Sequence, residues 1–148
     1  MHTPVLLKEA IEYLNPKEGN TILDATFGSG GHASAILEHI GKKGKLIGLD
    51  QDEKAIERFK SEIQRMKSEK NLILINENFR NLDKVVKEKI NGALFDLGFS
   101  SDQLDESRRG FSFQKDELLL MTLKSELGPN DLTAREIVNQ WREEEIAD

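Results

Sequence analysis

Residues 21 to 40 constrain the fold of this chain more than any other stretch. The short apolar run Thr21-Ile22-Leu23 leads into "DATFGSGGH", Asp24 to His32, and the apolar-periodic segment Ala33–Ile40 follows. Strand, glycine-rich turn and helix in direct succession form the first half of a βαβ unit, because an extended chain bends sharply into a helix most easily where side chains do not crowd it. The alternation then repeats. Lys45–Leu49 reads as a second strand ending at Asp50, and Asp52 to Met66 as an amphipathic helix with Ala55, Ile56, Phe59, Ile63 and Met66 as its buried stripe. Leu72–Ile75 reads as a third strand, about Leu82 to Ile90 as a helix, and Ala93–Phe95 as a fourth strand ending at Asp96. Upstream, Thr3 and Pro4 predict the start of a helix carrying Val5, Leu6, Ala10, Ile11 and Leu14, and Asn15 to Asn20 is a turn. Strands alternating with helices predict an α/β fold built on a doubly wound parallel sheet, with a ligand site at the carboxyl ends of the strands. Three of the four strands end in aspartate there: Asp24, Asp50 and Asp96.

After Leu97 the pattern breaks. Gly98 to Asp116 is polar and reads as a long loop, and "DLTAREIVNQW" restarts a helix, with Thr133 and Glu136 at capping-box spacing and Leu132 placed as a staple. The domain expectation is a ligand-binding Rossmann-like domain over residues 1–99, then a loop and the start of a helical insert over 100–148, the sheet being truncated after its fourth strand. That leaves the fourth strand as a free edge, through which self-association into a homo-oligomer, or pairing with a missing portion, is expected.

Composition narrows the function. The 148 residues hold 27 acidic against 21 basic side chains, a formal charge of -6. A protein that coats DNA or a membrane surface would be basic, although a local basic patch remains open. There is no cysteine, hence no disulfide framework and no thiolate metal site, and His2, His32 and His39 lack metal-ligand spacing. No N-terminal apolar run resembles a signal peptide and no segment reaches membrane-span length, so a cytoplasmic location without membrane contact is the expectation.

Gly28, Gly30 and Ala33 fit the G-x-G-x-x-G/A spacing of dinucleotide sites, and Asp50, 22 residues after Gly28, stands where an acid accepts hydrogen bonds from ribose hydroxyls. No Lys-Ser/Thr follows the glycines, which excludes a phosphate-cradling P-loop. Asp24 discriminates among adenosine ligands. A carboxylate at the mouth of the turn repels the pyrophosphate of NAD but favours the sulfonium and ammonium of S-adenosylmethionine. The alternative for Asp24 is a turn cap. Phe79, just after the third strand, is either an apolar wall for adenine or a core residue. His32, one turn into the helix, either closes the site by a hydrogen bond or is an ordinary helix-start histidine.

Asp96 would face the reactive end of such a ligand. As a hydrogen-bond acceptor it could help free the lone pair of an amine undergoing methylation and take up its proton. Gly98 permits close approach of a flat base, and Ser100, Ser101 and Gln103 supply polar reach, or else form a plain serine-rich loop. Arg108, Arg109, Phe111 and Phe113, in "RRGFSF", interleave cations with aromatics. Such a patch either contacts RNA by stacking and phosphate pairing or anchors the loop to the core.

"HTPVLLKEAIEYLNP", "DATFGSGGHASAIL", "IGLDQD", "DLGFSSDQLD" and "RGFSFQKD", in this order, closely resemble the bacterial 16S ribosomal RNA cytosine-N4 methyltransferases, the MraW-like or small-subunit methyltransferase H family. The resemblance runs through nearly the whole chain. It implies a class I S-adenosylmethionine-dependent fold and methylation of the exocyclic amine of a cytidine in the decoding region of 16S rRNA. It also implies that Gly30, Gly31 and His32 contact the cofactor, that Asp50 takes the ribose, that Phe79 borders the adenine, and that Asp96 and Gln103 complete the pocket. One block departs from the family pattern. Asp116 to Leu123 reads "DELLLMTL", with Leu118, Leu120 and Thr122 where proline, aspartate and arginine are expected. Two other readings compete: a catalytically degenerate module that binds a nucleoside or a protein partner, and an NAD-dependent oxidoreductase.

Overall fold

The computed structural model describes residues 4–66, 71–99, 104 and 108–147, with side chains for all of these except 62–66. Thr3, Ser100, Ser101 and Gln103 therefore lie outside the described residues, as do the side chains of Ile63 and Met66. The chain divides into two compact units, Met1–Gly98 and Phe99–Asp148.

In the first unit, helix α1 (Leu7–Leu14) precedes strand β1 (Thr21–Asp24), helix α2 (Gly31–Ile40), strand β2 (Lys45–Asp50) and helix α3 (Glu53–Met66). Strand β3 (Leu72–Asn76) follows, then a 3-10 turn (Phe79–Asn81), a short helix α4 (Leu82–Val85) and strand β4 (Gly92–Leu94). The four strands form one parallel sheet in the order β3-β2-β1-β4. Asp24 lies opposite Gly48 of β2 and Leu94 of β4, and Asp50 opposite Asn76 of β3, so the strands finish on one rim.

Successive strand residues point to opposite faces, and β1 and β2 are buried on both, which is why they read as unbroken apolar runs. Ile22 and Leu46 join Phe27, Ile36, Ile40, Ile56 and Phe59 on the face covered by α2 and α3, with Ile11, Leu14 and Leu94 packed alongside. Leu23, Ala25, Ile47 and Leu49 fill the other face under Ile75, Leu82, Val85 and Val86. Ile22, Leu23, Ile36, Ile40, Leu46 and Leu49 are almost completely buried. Each such side chain stabilises the fold by about 1.5–3 kcal/mol relative to exposure.

Three expected boundaries shift. The first helix starts at Leu7, not at Thr3-Pro4, and Val5 and Leu6 are exposed. Leu6 is left-handed (φ 49°) and breaks the helical path. Pro4 is committed elsewhere, against Gly31, where a Cβ would lie 2.3 Å from its Cγ. The helix expected to reach Ile90 stops at Val85, because Val86 is extended. Beyond it the chain is pinned by tertiary contacts: Lys45 Nζ reaches Glu88 at 2.8 Å, and Asn91 Oδ1 accepts from the Thr21 N–H at 2.8 Å. The fourth strand ends at Leu94, since its pairing with β1 runs out there, and Phe95 lies beyond it. Among the described residues β4 pairs with β1 alone, leaving its other edge free.

In the second unit, residues 108–132 form turns and extended backbone without a helix or strand. Helix α5 (Ala134–Gln140) opens on the expected capping box: Thr133 Oγ1 accepts from the Glu136 N–H, and the Glu136 carboxylate accepts from the Thr133 N–H. Leu132, expected as a staple, is exposed. Helix α6 (Glu143–Ala147) follows. No helix among the described residues is long and apolar enough to cross a membrane.

Candidate functional site: an acidic rim around a glycine turn

The turn after β1 is held by its neighbours on both sides. The Ala25 N–H donates to Leu94 O and the Phe27 N–H to Leu49 O, both at 2.9 Å, so the turn is stitched to the ends of β4 and β2. Gly30 is left-handed (φ 77°), and a Cβ there would lie 2.1 Å from the Phe59 ring. That ring meets Phe27 edge to face at 4.7 Å. Any side chain at residue 30 would therefore displace the core aromatic beneath the turn.

Asp50 organises the turn directly. Its Oδ2 accepts from the Gly28 N–H at 2.7 Å and its Oδ1 from the Asp52 N–H at 2.8 Å. Burial pushes this carboxyl above its ordinary pKa, and the backbone amides of Asp52, Gly28 and Gln51 act against that shift. Each oxygen keeps lone-pair capacity beyond its one amide, so Asp50 can accept further hydrogen bonds.

Asp24 lies deeper, at 1% exposure, and its Oδ1 accepts from the Thr26 N–H at 3.2 Å. Its pKa is pushed up to about 7, first by burial and then by the charges of Asp50 and Asp96. The turn-cap role is thus realised. Near neutral pH the carboxyl is close to half-protonated, a state that an incoming cation would shift toward ionisation.

Asp96 stands two residues past β4 and is exposed. Its N–H donates to Thr26 Oγ1 at 2.7 Å. Its Oδ2 lies 3.8 Å from His32 Nδ1. The other ring nitrogen of His32, Nε2, is 3.1 Å from Val5 O, which can only accept, so Nε2 carries a proton. His32 thereby links the N-terminal segment, the first turn of α2 and Asp96.

Phe79 opens the 3-10 turn after β3 and is exposed. The chain reaches it by folding back over the end of β2. The Glu77 N–H donates to Asp50 O at 3.0 Å, and Asn78 Nδ2 donates to Gln51 Oε1 at 2.8 Å. Phe79 then meets Phe95 edge to face at 5.8 Å. The rim therefore gathers Asp24, Gly28, Gly30, Gly31, His32, Asp50, Phe79 and Asp96. Sequence reasoning missed Thr26 and Phe95. Thr26 follows the strand-end Asp24 by two residues and Phe95 immediately precedes Asp96, and that adjacency was the available signal.

Of the six residues expected to meet RNA, Ser100 and Ser101 lie outside the described residues, and the other four separate in character. Arg109 is buried, and its Nη1 donates to the carbonyl oxygens of Thr122, Leu123 and Lys124 at 3.2, 2.7 and 2.8 Å. This guanidinium holds the backbone of residues 122–124, which favours the loop-anchoring alternative for Arg109. Phe111 packs against Phe99 at 4.7 Å. Arg108 is exposed, and Phe113 is 99% exposed. Among the described residues no group of three or more His, Asp or Glu side chains could hold a metal ion.

A four-stranded parallel sheet flanked by helices, with a glycine turn after its first strand and acids on its carboxyl rim, is the Rossmann-like fold of class I S-adenosylmethionine-dependent methyltransferases. Solved structures agree on the fold. A Clostridium thermocellum protein described as an rRNA-methylase superposes with a TM-score of 0.59 at 26% identity, covering 67% of this chain and 54% of that one. A Streptococcus mutans protein described as a methyltransferase, in complex with SAH, gives 0.56 at 24% identity, covering 68% and 56%. The chain belongs to the MraW methylase family, which matches residues 1–148. The ribosomal RNA small subunit methyltransferase H of Clostridium botulinum (strain Kyoto / Type A2) is 44% identical over 149 residues, covering 98% of this chain and 46% of the relative. The chain thus spans about half the length of the curated relatives it matches.

Proposed function

We propose that this chain carries the S-adenosylmethionine-binding portion of a methyltransferase that acts on the N4 amine of a cytidine in the decoding region of 16S rRNA. The observation that carries the reading is the acidic rim: Asp24 and Asp50 end the neighbouring strands β1 and β2 around the glycine turn, and Asp96 lies two residues past the end of β4, which pairs with β1. Membership of the MraW methylase family and the rRNA methyltransferase relatives support the substrate class.

The residues present fit this cofactor. Asp50 has acceptor capacity left for ribose hydroxyls. Asp24 and Asp96 provide negative potential suited to a cationic tail and hostile to a diphosphate. Gly30, Gly31 and His32 line the turn, Phe79 offers an apolar wall, and Gln103 is assigned by resemblance alone. When bound, S-adenosylmethionine supplies a methyl group activated by a sulfonium leaving group. Asp96 would accept a hydrogen bond from the cytidine amine and take up its proton. Ser100, Ser101, Arg108, Phe111 and Phe113 remain the proposed RNA contacts. The free edge of β4 is the proposed self-association surface, which sedimentation equilibrium over a concentration series tests.

The deciding experiment is calorimetric titration with S-adenosylhomocysteine and NADH, then transfer of labelled methyl from S-adenosylmethionine to small-subunit particles lacking the mark. The expected result is binding of S-adenosylhomocysteine, none of NADH, and transfer that Asp96→Ala reduces more than it reduces binding. No S-adenosylhomocysteine binding overturns the reading. Binding without transfer favours the degenerate binding module instead.

A further inference from the structure

We propose that Phe95 is a cofactor-binding residue, the second wall of an aromatic clamp that receives the purine of the cofactor between its rings. The inference rests on the cofactor reading above and extends it to a residue that the reading does not use. Phe79 and Phe95 leave strands at opposite edges of the sheet, β3 and β4, yet their rings meet at 5.8 Å and 86°. The return of residues 77–79 over β2 makes this possible. The pair therefore spans the rim on which Asp50 and Asp96 stand, and Phe95 is the immediate neighbour of Asp96 in the chain.

Burial does not account for the pair. Phe79 is 39% exposed and Phe95 46%, whereas Phe27 and Phe59, the other edge-to-face pair in this unit, are at 3% and 8%. Two large rings that satisfy each other at the surface, beside an acid suited to ribose, offer a planar heterocycle more apolar contact than they offer one another. An adenine entering there exchanges one edge-to-face contact for contact with both rings. Stacking reads the flat face of a base with little regard for its edge groups. The clamp therefore sets a requirement for a purine-sized ring, while the amino-acid tail is left to the acids.

The test uses the 148-residue chain and two probes, S-adenosylhomocysteine and 5′-methylthioadenosine, which shares the nucleoside but lacks the amino-acid tail. Phe95→Ala is expected to raise the dissociation constant of both probes by the same factor, about tenfold. Phe95→Tyr, which keeps the ring, is expected to stay within about threefold of the unaltered protein, and Phe95→Leu to behave like Phe95→Ala. The ligand-free thermal midpoints should stay together, since the residue is half exposed. Equal affinity of Phe95→Ala and the unaltered protein for both probes, with the unaltered protein binding normally, overturns the clamp and leaves the cofactor reading standing. So does a loss confined to S-adenosylhomocysteine. Failure of the unaltered protein to bind either probe removes both.

Discussion

The two units of this chain are held together by different physics. Residues 4–98 are organised by apolar burial: six side chains of the sheet and α2 are almost inaccessible, and the strands between them pair in register. Residues 108–147 bury few large side chains. Leu118, Leu127, Leu132, Val138, Trp141 and Ile146 are all exposed. Directional contacts shape that unit instead: Arg109 on three carbonyls, Lys124 Nζ on Asp131 at 2.6 Å, and the Thr133–Glu136 capping box. Packed apolar surface resists distortion collectively, whereas a polar hub fails when one partner is removed. The first unit should accordingly open last and the second first, in the order that amide hydrogen exchange reads.

Four substitutions press on that contrast. Ile36→Ala, at a completely buried site shared by α2 and the sheet, should cost about 4 kcal/mol in denaturant unfolding. A loss under about 1 kcal/mol would mean that the first unit is not core-driven.

Asp24 is the polar flaw within that core. Its folded pKa of about 7 lies above the ordinary 3.8, so the folded state holds the proton more tightly than the unfolded chain. Its favourable contribution is complete below pH 3.8 and is lost as pH rises to about 7, a change on the order of 4 kcal/mol. Asp24→Asn should flatten this slope and be relatively more stable at pH 8 than at pH 4. Parallel pH profiles for the two proteins would show that the carboxyl is not held protonated.

Arg109→Ala should cost the second unit about 2 kcal/mol. Its mark would be lost hydrogen-exchange protection at Met121, Ala134 and Arg135, whose N–H groups bond within residues 109–120, with protection in β1 and β2 unchanged. Thr133→Ala removes only the cap of α5 and should cost about 1 kcal/mol, read from the amides of that helix. If it destabilised the sheet equally, the units would not be separable in stability.

The sheet was legible because β1 and β2 are apolar runs that end in aspartate, a pattern set by strand burial and rim chemistry together. The errors all involve contacts distant in sequence. Thr3-Pro4 is a sound local helix start, but Pro4 fits against Gly31, and no local preference encodes that contact. Val86 to Ile90 continues a helical pattern, yet the Lys45–Glu88 pair and the Asn91–Thr21 hydrogen bond hold the chain out of the helix. At the site, strand-end position located Asp24 and Asp50, and Asp96 lies two residues past the fourth strand. The burial of Arg109 was not legible, since its three acceptors are backbone carbonyls that any residue would supply. Phe95 reads as an ordinary strand residue until the path over β2 brings Phe79 to it.

His32 joins Val5 to the glycine turn across 27 positions of sequence, and Pro4 seats on Gly31 beside it. Pro4 and Val5 thus behave as a strap over the glycine turn. A tag or fusion placed immediately ahead of Pro4 would pull on that strap, and an affinity measured on such a fusion would partly report the attachment.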